Sequence, residues 1–307
     1  MSVAPEQDAP RPGPAPDAAF LDAVTFAFGD PVAGLYGHAR IGLGADGAGG
    51  FAMLFAGTDV AGASMQSGVE VGDESRGSWE GVRAAGLQTR VEQPLSAWAL
   101  RYEGRDAGFD LRFEARSTPA VLPADSALAR AAGLQGYDQL CGVEGTVRAG
   151  AAERTVRCLG QRGRIWGAPD LERLELLRTL AAWLGDDRAV MLSAARPVRG
   201  RGRARGEDVV AGWIVEDGEP QAVEEPRLST TYDGELRQQR AGLELWVGED
   251  SELARRGTGI VLCGTTLDFG DLRLATAFFG WRMEDREGVG HYDVLRRIDG
   301  GGSRAKR

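Results

Sequence analysis

Asp110-Leu111-Arg112-Phe113-Glu114-Ala115 alternates without a break: Leu111, Phe113 and Ala115 point one way, Asp110, Arg112 and Glu114 the other. A period of two over an apolar and a charged face is the pattern of a half-buried β-strand. The same alternation recurs upstream in residues 96–102, where Trp98, Leu100 and Tyr102 share a face, and downstream in 209–215, 243–247 and 291–297. Glycine clusters at 42–50, 104–108, 200–206 and 300–302 punctuate these runs, within a total of 45 glycines. Many short alternating runs separated by turn residues predict an all-β chain, an antiparallel sandwich or barrel.

One segment reads differently. Over residues 170–185, Asp170 offers a cap after Pro169, Leu174, Leu177, Ala181 and Leu184 form a helical stripe, and Gly185 offers a stop. That predicts one long helix of about 15 residues in the second half of the chain. The Ala-rich stretch 125–132 reads as a link between two halves. The expected division is a tail over 1–18, a first domain over 19–130, a second over 131–298 and a tail over 299–307.

The chain has 307 residues, 43% apolar and 26% charged, with a formal net charge of -9. This is enough apolar content for a sizeable core, and the acidity argues against nucleic acid as a partner. No apolar run reaches 18 residues, so no integral membrane association is expected. The first 20 residues lack a basic segment followed by an apolar one and do not read as a secretory signal. Cys141, Cys158 and Cys263 have no CxxC spacing, and His38 and His291 are the only histidines. No metal site is expected from that set, and a reduced, cytoplasmic setting fits it. Phosphate-loop, GxSxG, HExxH and EF-hand patterns are lacking, so no cofactor is expected.

Three further stretches carry a family likeness. Residues 93–98 (QPLSAW) lead into 108–115 (GFDLRFEA); residues 137–147 (YDQLCGVEGTV) precede 160–167 (GQRGRIWG); residues 290–293 read GHYD. Together they resemble a two-domain lipocalin-like family related to carotenoid 1,2-hydratase (hydroxyneurosporene synthase) and to lipocalin-like natural-product cyclases. The resemblance spans roughly residues 25–298. It implies two lipocalin-like antiparallel β-barrels packed together, and hydration or cyclisation of polyene or isoprenoid substrates. The family's loop usually resembles G-x-R-D-H-x-W-G. Here Gly163 and Arg164 stand where that pattern has the acid and the histidine, so the chemistry of that pair is not carried over.

The candidate residues follow from that chemistry. An alkene is a weak base, and protonating it takes a carboxylic acid kept protonated by an apolar setting. Asp138, Asp59, Glu284 and Asp268 lie on or beside apolar stretches, and His291 could relay a proton near neutral pH. Trp166 either plugs a barrel end or lines a cavity where its π face steadies a cation, a contribution of ~1–2 kcal/mol. Arg162 and Arg164 either pair with acidic neighbours or hold an anionic group. Tyr137, Tyr292, Trp79, Trp281 and Phe279 are further substrate-binding candidates among an ample aromatic set. Arg196, Arg199, Arg201, Arg203 and Arg205 read as a solvated hairpin or as an anion grip.

These features point to a cofactor-free enzyme of terpenoid biosynthesis. It would bind a hydrophobic, isoprenoid-like small molecule and promote cyclisation, isomerisation or hydration. The alternative is a non-catalytic lipid or terpenoid carrier, and a third possibility is a partner-binding β-protein.

Overall fold

The structure, a computed structural model, describes residues 3–11, 20–72, 77–198, 208–248 and 253–298. Arg199, Arg201, Arg203 and Arg205 lie outside the described residues, as does the expected tail over 299–307.

Among the described residues, twenty strands make two antiparallel sheets. The first is built from β1 (Leu21–Asp30), β2 (Leu35–Gly44), β3 (Gly47–Ala56), β4 (Asp59–Val69), β5 (Arg83–Ala84), β6 (Leu87–Gln93), β7 (Ala97–Glu103), β8 (Ala107–Ala115), β9 (Ala120–Leu122), β10 (Leu134–Ala149) and β11 (Ala152–Gly167). Its order is β4-β3-β2-β1-β11-β10-β8-β7-β6-β5, with β9 beside β10. The sheet curls on itself, and Gln66 Oε1 on β4 accepts from the Ala85 amide just beyond β5 at 2.9 Å.

The second sheet holds β12 (Leu174–Gly185), β13 (Arg188–Pro197), β14 (Val209–Glu216), β15 (Glu219–Ala222), β16 (Glu225–Tyr232), β17 (Gln238–Trp246), β18 (Arg255–Phe269), β19 (Leu272–Met283) and β20 (Arg286–Arg297). Its order is β15-β14-β13-β12-β20-β19-β18-β17-β16. The architecture is therefore all-β, two curled lipocalin-like sheets packed together. Among the described residues no helix is long and apolar enough to cross a membrane.

Each sheet encloses its own core. Phe26, Phe28, Trp98, Phe109 and Phe113 fill the first, and Leu180, Leu243, Phe279, Trp281 and Tyr292 the second. A third apolar cluster lies between the sheets and unites Tyr36, Phe51, Met53 and Leu140 of the first with Trp183, Met191, Leu274 and Phe278 of the second.

The long helix expected over 170–185 is not formed. Asp170 Oδ1 accepts from the Glu172 amide, capping only a 3₁₀ turn over Leu171–Arg173, and the leucine run continues as β12. The physical reason is double burial. Leu176, Leu180, Ala182 and Leu184 face the second core while Ala181 and Trp183 face the inter-sheet cluster. A strand covered on both sides loses its alternation and mimics a helical stripe. The α-helix among the described residues is the six-residue α1 (Ala127–Ala132), in the stretch read as a link. Ser126 Oγ caps it and Gly133, at φ 66°, ends it.

Two further differences matter for the site. The chain changes sheets between Gly167 and Leu174, so β10 and β11, placed in the second unit by the sequence, pair within the first sheet. Residues 160–167 are no loop but the end of β11, held between β1 and β10. Residues 4–9, expected in a tail, instead lie against the first barrel and bury Asp8.

Candidate functional site

Strand alternation decides what meets between the sheets. On the first sheet, cross-strand register sets Phe51, Arg40, Thr25, Gly163 and Asp138 in one row across five adjacent strands. Gly163 is required there: a Cβ at this position would collide with Asp138 Oδ1 and Thr25 Oγ1, so the two oxygens converge over the bare backbone. The next row carries His38, Ala27, Gln161 and Leu140.

On the facing sheet, one row runs Thr265, Thr276, Asp293, Thr179 and Ser193, and its neighbour runs Cys263, Phe278, His291 and Ala181. The walls touch where Tyr36 packs on Phe278 with centroids 5.4 Å apart, and where His38 lies 4.0 Å from His291. Thr25, Arg40, Asp138, Gln161, Thr179, Ser193, Thr265 and Asp293 remain only half-buried although they face another sheet. They outline a polar-floored cleft. Phe269, Leu267 and Leu295 stay half-buried on the second sheet beside it.

Both histidines of the chain sit in this cleft. Thr276 Oγ1 is 3.3 Å from His38 Nδ1 and 3.1 Å from His291 Nε2. His291 Nε2 also lies 2.9 Å from Asp293 Oδ1, a close contact without hydrogen-bond alignment. His38 Nδ1 is 3.8 Å from Asp293 Oδ2. Burial, then the neighbouring His291, pushes His38 down to about 3. It is therefore neutral at physiological pH. Burial acts against the charge of Asp293, but His291 and His38 overcome it and hold the carboxyl at about 2. Asp293 is therefore an anion beside the two histidines.

Asp138 behaves in the opposite way. Burial raises it to about 6 from the ordinary 3.8, and His291 and Arg162 offset only part of the rise. Its one side-chain partner among the described residues is the Gln161 amide, with Nε2 3.4 Å from Oδ1. Gln161 Oε1 itself is buried with no partner. Rotating that amide would let Oε1 accept a hydrogen bond from the O–H of a neutral Asp138, so one contact suits both protonation states. The cleft thus pairs a carboxyl that is readily neutral with a histidine–carboxylate couple. His38, His291 and Asp293 also bring their ligating atoms within 4.8 Å of one another, a spacing that a cation could use.

The other candidates go elsewhere. Arg162, Arg164 and Tyr137 alternate with Gly163 and Asp138 and so face the opposite side of the sheet. Arg162 donates to Asp8 Oδ1 at 2.7 Å and Gln139 Oε1 at 2.5 Å, and Tyr137 Oη donates to Asp8 at 2.5 Å. Arg164 grips both carboxylate oxygens of Asp22 and the Gln7 carbonyl. Trp79 is buried and donates to the Asp8 carbonyl. Trp166 is covered by the Arg11 guanidinium, 3.8 Å from its ring centre.

In the second barrel, Phe279 and Trp281 stack at 5.7 Å in the core, and Tyr292 Oη bonds Thr230 Oγ1 at 2.6 Å. Asp59 is exposed at the start of β4. Glu284 is held in a surface turn by Arg188 and Arg255, and Asp268 pairs with Arg273 outside. Arg196 pairs with Asp208.

Of the proposed catalytic set, then, Asp138 and His291 share the cleft while Asp59 and Glu284 lie outside it. Thr25, Arg40, Gln161, Thr276 and Asp293 were not among the expected residues. Their signal was the i, i+2 step: Arg40 shares a strand face with His38, and Asp293 with His291.

The chain belongs to the family described as "Domain of unknown function (DUF7064)", whose model matches residues 4–298. No curated protein matches it. Solved structures share the fold. CghA crystallised with Sch210972 superposes with a TM-score of 0.68 at 11% identity, covering 95% of this chain and 96% of its own. The Nitrosomonas europaea protein NE1406 gives 0.65 at 12%, covering 93% and 95%. Kievitone hydratase from Nectria haematococca gives 0.59 at 10%, covering 91% and 89%.

Proposed function

We propose that this member of the DUF7064 family is an enzyme of the cyclase or hydratase kind. It acts by proton transfer on a hydrophobic, isoprenoid or polyene molecule held between the two sheets. The observation that carries this reading is Asp138, raised to about 6 in the cleft and placed near the His291–Asp293 couple. Two of the solved structures that share the fold support it in kind, one a hydratase and one crystallised with a small molecule.

Neutral Asp138 gives its proton to one carbon of a double bond; its O–H bond breaks, a C–H bond forms, and the adjacent carbon becomes cationic. Phe51 and Phe278 pack on the histidines and keep their surroundings apolar. His291 then takes a proton. Taken from a neighbouring carbon, it closes an isomerisation or a cyclisation; taken from a water adding to the cation, it completes a hydration. Asp293 stabilises the imidazolium. Return of that proton to Asp138 resets the site. The three cysteines are free, which supports a reduced, cytoplasmic setting as part of the proposal.

The test is incubation of the purified protein with terpenoid diphosphates, alcohols and polyenes, with products followed by mass spectrometry. Turnover that falls at least ~100-fold in Asp138→Asn supports the reading. No product from any compound by a folded protein, or full activity in Asp138→Asn, overturns it. The carrier reading draws on the Gly163 and Arg164 departure, since Arg164 is committed to Asp22. Native mass spectrometry showing an unconverted co-purified ligand would favour it.

A further inference from the structure

We infer that the molecule held in the cleft carries a carboxylate, and that Arg40 pairs with it. This rests on the reading of the cleft as the ligand site and adds the class of ligand. Arg40 lies on the face of β2 that also presents Tyr36 and His38, both in contact with the second sheet. It is half-buried, and it makes no hydrogen bond or ion pair with another described residue. The three fully buried arginines among the described residues are each matched by a carboxylate: Arg162 by Asp8, Arg164 by Asp22, Arg178 by Asp208. Half-buried Arg11 and Arg296, which also lack a carboxylate, lie over the Trp166 and Tyr232 rings, whereas Arg40 lies over none. The charge that acts on Arg40 is Asp293, which the two histidines already occupy.

A guanidinium does not shed its proton, and a carboxylate fits its fork with two parallel hydrogen bonds. One unpaired guanidinium near Asp293 suits a single negative charge better than the several of a diphosphate. Phe51, the cross-strand neighbour of Arg40 on the side away from Asp138, lies 6.2 Å from Phe269, and the two rings close the cleft behind the guanidinium. Arg40 and Asp138 are three strand spacings apart, about 14 Å along the backbone row. A carboxylate at Arg40 with its double bond at Asp138 therefore describes a long-chain unsaturated acid rather than a small one.

The probe is cis-parinaric acid, a fluorescent polyene acid, titrated alongside its methyl ester. The wild-type protein is expected to bind the acid at least tenfold more tightly than the ester. Arg40→Gln is expected to weaken the acid at least tenfold, leave the ester unchanged and so erase the preference, while Arg40→Lys keeps part of it. Circular dichroism confirms that each variant is folded. Equal binding of acid and ester by the wild type, no binding of either, or an undiminished preference in folded Arg40→Gln overturns the inference. Asp138→Asn separates the two proposals. Intact acid preference with no turnover of any substrate by the wild type, or with full turnover in Asp138→Asn, sinks the catalytic reading alone, and wild-type turnover without acid preference sinks the carboxylate alone.

Discussion

Strands β10 and β11 carry two polar clusters back to back, and the two are built on opposite principles. On the barrel side, Asp8 collects Tyr137, Arg162, Trp98 and the Leu95 amide, and Arg162 also holds Gln139. On the cleft side, one residue away on each strand, Asp138 has a single weak partner and Gln161 Oε1 has none, and Arg40 on neighbouring β2 is unpaired among the described residues. Saturated groups fix a fold, since each partner is satisfied and removing one strands another. Unsaturated groups in a half-open cleft are what a ligand or a moving proton needs. The two carboxylates respond accordingly: Asp8 is held below its ordinary value against the pull of burial, and Asp138 is pushed above it by burial.

The comparison breaks most visibly at Asp138. Asp138→Asn should cut turnover by ~10²–10⁴-fold. It should leave the protein as stable as the parent or more so by about 1–3 kcal/mol at pH 7, because the folded state no longer bears an ionised carboxylate it disfavours. The sign follows from the direction of the shift. A carboxyl raised to about 6 from 3.8 costs stability as pH climbs between those values, so the variant's advantage should vanish near pH 4. Chemical denaturation at the two pH values measures it.

Asp8→Ala should do the reverse. It strands the buried Arg162 and should cost about 3–5 kcal/mol in urea unfolding. Asp8 contributes stability above the ordinary carboxylate range and loses it as pH falls through its lowered value, so the wild type, but not Asp8→Ala, should weaken there. A wild-type-like unfolding curve for Asp8→Ala would erase the distinction between the clusters.

Gly163→Ala sharpens it at the shared strand. The new methyl displaces Asp138 and Thr25, and the expected cost is about 1–3 kcal/mol with a shifted pH profile of turnover. Trp166→Ala, on the barrel side beside Arg11 and Tyr137, should change stability and leave turnover near that of the parent. Asp59→Asn, exposed on β4, should stay within about 0.5 kcal/mol and keep full activity.

The sequence made the sheets legible wherever one strand face met water. The alternation at 96–102 and 110–115 corresponds to β7 and β8, which pair with Trp98 opposite Phe113. It misled at Leu174–Gly185, where both faces are covered from Leu180 to Leu184 and the pattern dissolves into a leucine run. The site was half legible. Asp138 and His291 stood out as an acid and a base, but their meeting depends on how two sheets pack, across a separation no local pattern encodes. Arg162 and Arg164 were drawn into the site because residues 160–167 read as a loop, where neighbours in sequence share surroundings, and Tyr137 because it adjoins Asp138. In a strand they face away from one another, and the side that carries Arg162 is the locked one.

The most direct measurement is the ionisation of Asp138 itself, by carboxyl carbon NMR titration with Asp138→Asn identifying the resonance. The account predicts an inflection near 6 that is displaced when parinaric acid occupies the cleft. An Asp138 titrating at or below 4, like an ordinary surface carboxylate, would contradict it.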